Sequence, residues 1–366
     1  MAPCPLALVL LLPLLPLVLG IAVEEVQLTR YHDHAALEAA LASLAASHAW
    51  VERYSLGSSV QGRSLPVLRL ATAAPRPALK PMVKLVANMH GNEVRQVTSG
   101  HTAVHCSLAR GRHSLACPAQ AVGRELLLAL AQHLAANYGR EERVTELLDT
   151  VELHIMPTLN PDGFETKALF FVDSVRNNGH GVDLNRAFPT WRELGQSRAQ
   201  LLEAREPEVA AAAAWILDQP WVLSANFHDG AVVANYPWDD EDTRPWERSP
   251  LFHAPPGGHN PNYTPDHAEF VSLARLYAGR HATMADTGAS CVRGGETFKG
   301  GVTNGVEWYA VSGGMQDFNY LFTNCMEITL ELSCVKKPGE DKLQAEWEAN
   351  KEALLSFIGG TDTSME

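Results

Sequence analysis

"ANMHGNEVRQVTSGHTAVHCSLARGRHSLACPAQAVGRELLLAL", Ala87 to Leu130, joins two well-formed pieces through a stretch of different character. The first piece completes "PMVKLVANMH", an apolar strand that runs into the His-x-x-Glu pair of His90 and Glu93. The second begins at Val122 with a strongly helical pattern. Residues 95–121 between them hold no acidic residue, three arginines, three histidines and two cysteines.

Outward from this stretch, strand-like runs alternate with helical ones. "LPVLRLAT", "PMVKLVANMH", "VELHIMPTLN", "WVLSANFH" and "CMEITLELS" read as strands, and Val122 to Tyr138, Glu206 to Leu217, His267 to His281 and Leu343 to Phe357 as helices. The alternation predicts an α/β fold with a mostly parallel or mixed sheet. No internal repeat and no long Pro/Gly/Ser linker interrupts it, so one domain is expected. In open α/β sheets ligands bind outside the carboxyl ends of the strands. His90 with Glu93, Asn160 to Asp162, and His228 each follow a strand and are expected to converge there.

The chain has 366 residues with 46% hydrophobic content, ordinary for a globular protein. A formal net charge of -13 and the lack of a long Lys/Arg run argue against nucleic acid as a partner. Cationic ligands fit better. The opening "MAPCPLALVLLLPLLPLVLGIAVEE" reads as a secretory signal over residues 1–22, cleaved near Gly20 to Ala22, with a retained anchor as the alternative. No membrane span is expected in the mature chain, and the tail over 361–366 carries no lipid-anchor signal.

Secretion permits disulfides. Without Cys4 five cysteines remain, so at least one is free or pairs with another chain. Asn262-Tyr263-Thr264 is a glycosylation sequon that suits the secretory route, although Pro265 follows it directly.

Two histidines and one glutamate are a common ligand set for hydrolytic zinc, leaving one position for water, and His90, Glu93 and His228 supply that set. A His-x-x-Glu by itself is more often a surface pair. In "VRNNGHGVDLNRAFP", Arg176, Asn185 and Arg186 could bind a carboxylate and polarise a carbonyl, or could simply decorate a solvated loop. Glu331 lies inside an apolar strand, where an unpaired carboxylate is costly, so it needs either a salt-bridge partner or a function.

The segments "NMHGNE", "MPTLNPDGFE", "VDLNR", "LSANFHDGAVVANYP", "GVTNGVEWY", "GGMQDFNY" and "EITLELSC" occur in that order. Together they closely resemble the zinc metallocarboxypeptidases of the regulatory, carboxypeptidase N/E-type subfamily, which includes carboxypeptidases D and M. The resemblance runs from about Arg30 to Ile358, apart from the interrupted stretch. It implies a three-layer α/β/α catalytic domain with a mixed central sheet over residues 23–360, and one zinc ion held by His90, Glu93 and His228. Arg176 then matches the arginine that polarises the scissile carbonyl, and Asn185 with Arg186 the pair that grips the terminal carboxylate. Tyr309 matches the tyrosine that closes over the substrate, and Glu331 the general base and acid. Asp239, with Gln316 nearby, matches the selector of a C-terminal Lys or Arg. The implied activity is removal of C-terminal Lys or Arg from peptides and proteins by zinc-activated water, in a chain expected to be monomeric. Cys291 and Cys334 match positions that pair in relatives, leaving Cys325 as the odd, buried thiol.

The chain also departs from that pattern. The family runs from the zinc glutamate almost directly into the helix, whereas here residues 95–121 intervene, beginning two positions after a ligand. Cys106 and Cys117 within them are expected to form a disulfide, ahead of disorder with free thiols or a second metal site with His101 and His105. Ala187 stands where relatives usually carry Asn, and Asp229 where they usually carry Gly, so a carboxylate beside His228 either perturbs the zinc centre or faces away. A transthyretin-like β-sandwich usually follows this domain in the subfamily, so the face it would cover is expected to be exposed here. The competing reading is an inert or peptide-binding form of the same framework whose zinc site residues 95–121 disturb. A zinc deacylase or amidase on the same fold is a third.

Overall fold

Side by side at the centre of the molecule lie four apolar runs, all pointing the same way. The computed structural model describes residues 23–72, 80–91, 121–166, 173–241, 262–286, 291, 296–334 and 338–360. The strands are β1 (Val51–Ser58), β2 (Ser64–Leu70), β3 (Met82–Ala87), β4 (Glu152–Met156), β5 (Trp221–His228), β6 (Val233–Tyr236), β7 (Val302–Asn304) and β8 (Met326–Glu331). They form one sheet in the order β1-β2-β4-β3-β5-β8-β6-β7. β4, β3, β5 and β8 are mutually parallel, while β1, β2 and β6 bring antiparallel pairings. Such parallel strands are buried on both faces and read as near-continuous apolar runs, as "VKLVA" in β3 does.

The helices are α1 (His34–Ser47), α2 (Val122–Asn137), α3 (Glu142–Thr150), α4 (Pro161–Glu165), α5 (Asp173–Arg176), α6 (Arg198–Leu202), α7 (Pro207–Asp218), α8 (His267–Arg280), α9 (Gly305–Trp308), α10 (Met315–Phe322) and α11 (Leu343–Gly359). One apolar cluster joins a sheet face to α1, α2, α8 and α11 through Leu37, Leu126, Phe270 and Trp347; a second joins the other face to α7 and α10 through Ile216 and Phe318. This is the expected three-layer α/β/α arrangement with a mixed sheet. The predicted helices all form, within two residues at each end. α2 is covered nearly all round, with Leu126 to Ala131 fully buried, as its continuous apolar run requires.

A polar row crosses the buried centre. Lys84, Ser224 and Glu327 are register neighbours on β3, β5 and β8. Ser224 Oγ and Asn319 Nδ2 donate to Glu327 Oε2 at 2.5 and 2.8 Å, and Lys84 Nζ lies 3.9 Å from the same oxygen. Burial pushes the Glu327 carboxyl up to about 7, against the opposing pull of Lys84 and the Ser224 hydrogen bond. Cys325 is a buried free thiol 3.1 Å from Lys84 Nζ, and Cys291 and Cys334 form a disulfide, as the resemblance implied. Residues 1–22, the Cys106 and Cys117 pair and nearly all of 95–121 lie outside the described residues. Among the described residues, no helix is long and apolar enough to cross a membrane. Asn262 is buried, with Nδ2 donating to the Asp240 carbonyl at 2.7 Å, so a glycan there would require this corner to open.

Candidate active site

The chain leaves β3 to reach β4 on one side and later places β5 on the other. That reversal opens a crevice at the carboxyl ends of β3 and β5. His90 lies three residues beyond β3, and His228 ends β5.

Backbone packing fixes the loop after β3. Asn88 adopts φ of 54°, a left-handed conformation asparagine tolerates better than most residues. Its Nδ2 donates to the His90 carbonyl at 2.7 Å, and its Oδ1 accepts from Thr158 Oγ1 at 2.7 Å. Gly91 then passes so close to the neighbouring chain that a Cβ would sit 2.1 Å from the Gly163 carbonyl carbon and 2.2 Å from the Val175 oxygen. Gly91 N donates to the Arg176 carbonyl at 3.1 Å, which also accepts from Asn160 Nδ2 at 3.1 Å. The quoted "HG", "NPDG" and "VRNN" segments therefore meet at one backbone crossing.

His90 and His228 are both buried, with ring centroids 4.9 Å apart. His90 Nε2 lies 2.9 Å from Asp183 Oδ1, which leaves Nδ1 as the ring nitrogen for a metal. The carboxylate-to-histidine pairing is the usual outer support of a zinc ligand, so these residues fit the ion that the family pattern implies. Glu93 lies outside the described residues.

Asp183 was not singled out in the sequence, yet it organises the site. Its side chain caps the turn Leu184–Arg186 by accepting from Asn185 N at 2.9 Å, and it accepts from Arg176 Nε and Nη2, each at 2.9 Å. Burial alone would raise its carboxyl, but the His90 hydrogen bond and the charges of His90, Arg176 and Arg186 hold it well below the ordinary carboxylate range. The signal for it was present in "VDLNR", where an Asp precedes a short turn in the N-cap position.

Glu331 ends β8 as the register partner of His228, and the Leu332 amide donates to the His228 carbonyl at 3.0 Å. It is 8% exposed, and its side chain leaves the sheet on the same face as that of His228.

A second cluster adjoins the first through Asn185, whose Oδ1 accepts from Met315 N at 3.0 Å. Gln316, the next residue, donates Nε2 to Asp239 Oδ1 at 3.1 Å, and Asn235 Nδ2 donates to the same oxygen at 3.1 Å. Gln316 Oε1 and Asn235 Oδ1 are buried without a partner among the described residues. Asp317 holds Asp239 from behind, accepting from the amides of Asp239 and Asp240 at 3.0 to 3.1 Å. Burial pushes Asp239 up to about 6, relieved in part by the Asn235 hydrogen bond and the Arg186 charge. A buried carboxylate beside two unfilled amide oxygens favours a ligand with several N–H donors and a positive charge. Gly305 closes this pocket so tightly that a Cβ would overlap Asp239 Oδ1.

Arg186 is solvent-exposed and donates Nη1 to the Asn185 carbonyl at 2.9 Å. Tyr309 follows α9 and is 44% exposed, its ring 4.8 Å from that of Trp308. Asp229, the departure beside His228, is buried and turned towards α2, its Oδ2 accepting from Val122 N at 3.0 Å.

The sequence pattern of the zinc carboxypeptidase family matches residues 37–106 and 118–353, its break falling inside the stretch that sets this chain apart. Carboxypeptidase D of Drosophila melanogaster is 39% identical over 340 residues, covering 90% of this chain and 22% of that protein. The carboxypeptidase N catalytic chain of Rattus norvegicus is 39% identical over 325 residues, covering 83% of this chain and 63% of that one. The chain therefore spans less than two thirds of the length of either relative. Among solved structures, thrombin activatable fibrinolysis inhibitor superposes with a TM-score of 0.64 at 19% identity, covering 91% of this chain and 74% of the other, which speaks for the fold. By sequence pattern and by relatives, this chain belongs to the zinc carboxypeptidase family.

Proposed function

We propose that this protein is a secreted zinc carboxypeptidase that removes C-terminal Lys or Arg from peptides and proteins. The observation that carries the reading is the contiguity of two clusters. One gathers His90, His228, Asp183 and Arg176; the other surrounds Asp239, and Asn185 sits between them.

His90, Glu93 and His228 would hold one zinc ion, which when bound supplies a Lewis acid and lowers the pKa of a water molecule. Glu331, beside His228, takes the proton of the attacking water and returns it to the leaving amine. Arg176, anchored by Asp183, faces the oxygen of the scissile carbonyl as charge develops on it. Asn185 and Arg186 bind the free carboxylate, which restricts cleavage to the last peptide bond because only a chain end offers that group. Tyr309 closes over the bound end from its exposed position. Asp239, with Gln316, receives the basic side chain, and the acceptor-rich surroundings of that pocket support this specificity.

A panel of peptides differing only in the last residue tests the reading, assayed with the full chain and with a version lacking residues 95–121. Release of Arg and Lys, little release of Phe or Glu, and none from an amidated end are expected of the full chain. Release by the shortened version alone would identify this chain as a disabled form, and equal release of Phe and Arg would refute the basic specificity.

A further inference from the structure

The first turn of α2 touches both sides of the metal crevice within three residues. Val122 N donates to Asp229 Oδ2 at 3.0 Å. Gly123 lies against β5 so closely that a Cβ would stand 2.7 Å from Phe227 Cβ and 3.4 Å from Ala87 Cβ. Arg124, fully buried, places its guanidinium 3.8 Å over the Phe164 ring and donates Nη1, at the long distances of 3.5 and 3.4 Å, to Asn88 Oδ1 and Thr158 Oγ1. Asn88 in turn holds the His90 carbonyl. Residues 122, 123 and 124 thus reach the neighbours of His228, of β3 and β5, and of His90 in succession.

The N-cap residue of α2, Ala121, has no side chain that can accept from the first helical amides. Asp229, the residue after β5, supplies that acceptor, and a carboxylate at a helix N-terminus also meets the positive end of the helix dipole. We propose that Asp229 is a positioning residue of the metal centre. It fastens the first turn of α2 to the strand end that carries His228, so that Arg124 and Asn88 hold His90 opposite. It also gives the chain a support for its two histidines made by residues outside 92–120. Because it concerns the placement of zinc ligands, it rests on the zinc reading of the site.

The test compares the full-length wild type with Asp229→Ala and Asp229→Asn. Zinc affinity is measured by competition with a chromophoric chelator, the ligand field by the visible spectrum after cobalt substitution, and the local contact by amide exchange at Val122 in metal-free protein. Asp229→Ala should weaken zinc binding about ten- to a hundredfold, the range seen when outer supports of metal ligands are lost, and should alter the cobalt spectrum and speed exchange at Val122. Asp229→Asn, which keeps an acceptor oxygen, should restore all three towards wild type. An Asp229→Ala protein that melts like wild type with the same zinc affinity and spectrum would overturn the proposal. If that variant does not fold, Asp229→Ser, whose side chain is one atom group too short for the contact, replaces it with the same expectations. A wild type that takes up no zinc would refute the zinc reading, and exchange at Val122 would still decide the fastening: equal rates in wild type and Asp229→Ala would overturn it.

Discussion

His228 and Glu331 are register partners at the carboxyl ends of β5 and β8. Neighbouring strands lie about 4.8 Å apart and paired residues share a face, so the pairing by itself brings an imidazole and a carboxylate to one spot. The distance between them in sequence is irrelevant to this, because a parallel sheet sets it.

Glu331→Gln should retain zinc and the melting behaviour of the wild type while lowering kcat by about 10²–10⁴-fold, the usual contribution of a positioned general base. Zinc content and single-turnover release of arginine check this. A variant with wild-type kcat would remove Glu331 from the chemistry.

Asp239→Asn should lower kcat/KM for Arg-ended peptides by about 10- to 100-fold, the equivalent of one charge-assisted hydrogen bond lost in a buried pocket. Peptides ending in Phe should be unaffected. In the wild type, KM for Arg-ended peptides should rise as pH falls through about 6, where burial has moved the Asp239 carboxyl, because the protonated pocket has no charge for the cation. A KM flat from pH 5 to about 8 would contradict this.

Glu327 links stability to pH with the opposite sign from a surface carboxylate. Its folded value of about 7 lies above the ordinary 4.5, so its favourable contribution is complete below 4.5 and is lost as pH rises through 7. In that window the unfolded chain has released the proton that the folded chain keeps. Glu327→Gln, which stays neutral, should therefore gain stability relative to wild type between pH 5 and 8 in chemical denaturation. A constant difference across that range would show that Glu327 is ionised throughout.

Gly91→Ala should be far more harmful than its size suggests, since the added carbon would meet the Gly163 backbone. A loss of at least about 1–3 kcal/mol is expected, together with weaker zinc binding, because relief must come from moving the His90 loop. Thermal melting and chelator competition measure the two effects, and a variant unchanged in both would show that the crossing has slack.

The parts of this architecture that could be read from the chain are those whose signal is local. β3, β4, β5 and β8 are largely apolar and buried, and α2 and α11 have long helical patterns, so strand and helix types are legible from the local pattern. β7 has only three residues and β6 four, and their pairing depends on the sheet they join. β1 has a mostly exposed burial pattern and a glycine at position 57, which mutes its apolar signal. In the site, His90 and His228 stood out because polar side chains end apolar runs, and Glu331 because a carboxylate falls within one. Asp183 and Asp317 did not, because their work is to hold other groups through hydrogen bonds that only the fold brings together. Asp229 was visible as a carboxylate beside His228, but the direction it faces depends on Val122, more than a hundred residues earlier.

The most direct measurement is release of C-terminal arginine from a short peptide by the purified full chain, with and without a zinc chelator, beside Glu331→Gln. Chelator-sensitive release that zinc restores, and that the Glu331→Gln protein lacks, is the predicted result. Release that survives chelation, or no release from a folded chain carrying one zinc ion, would contradict the proposal that these residues form a working carboxypeptidase.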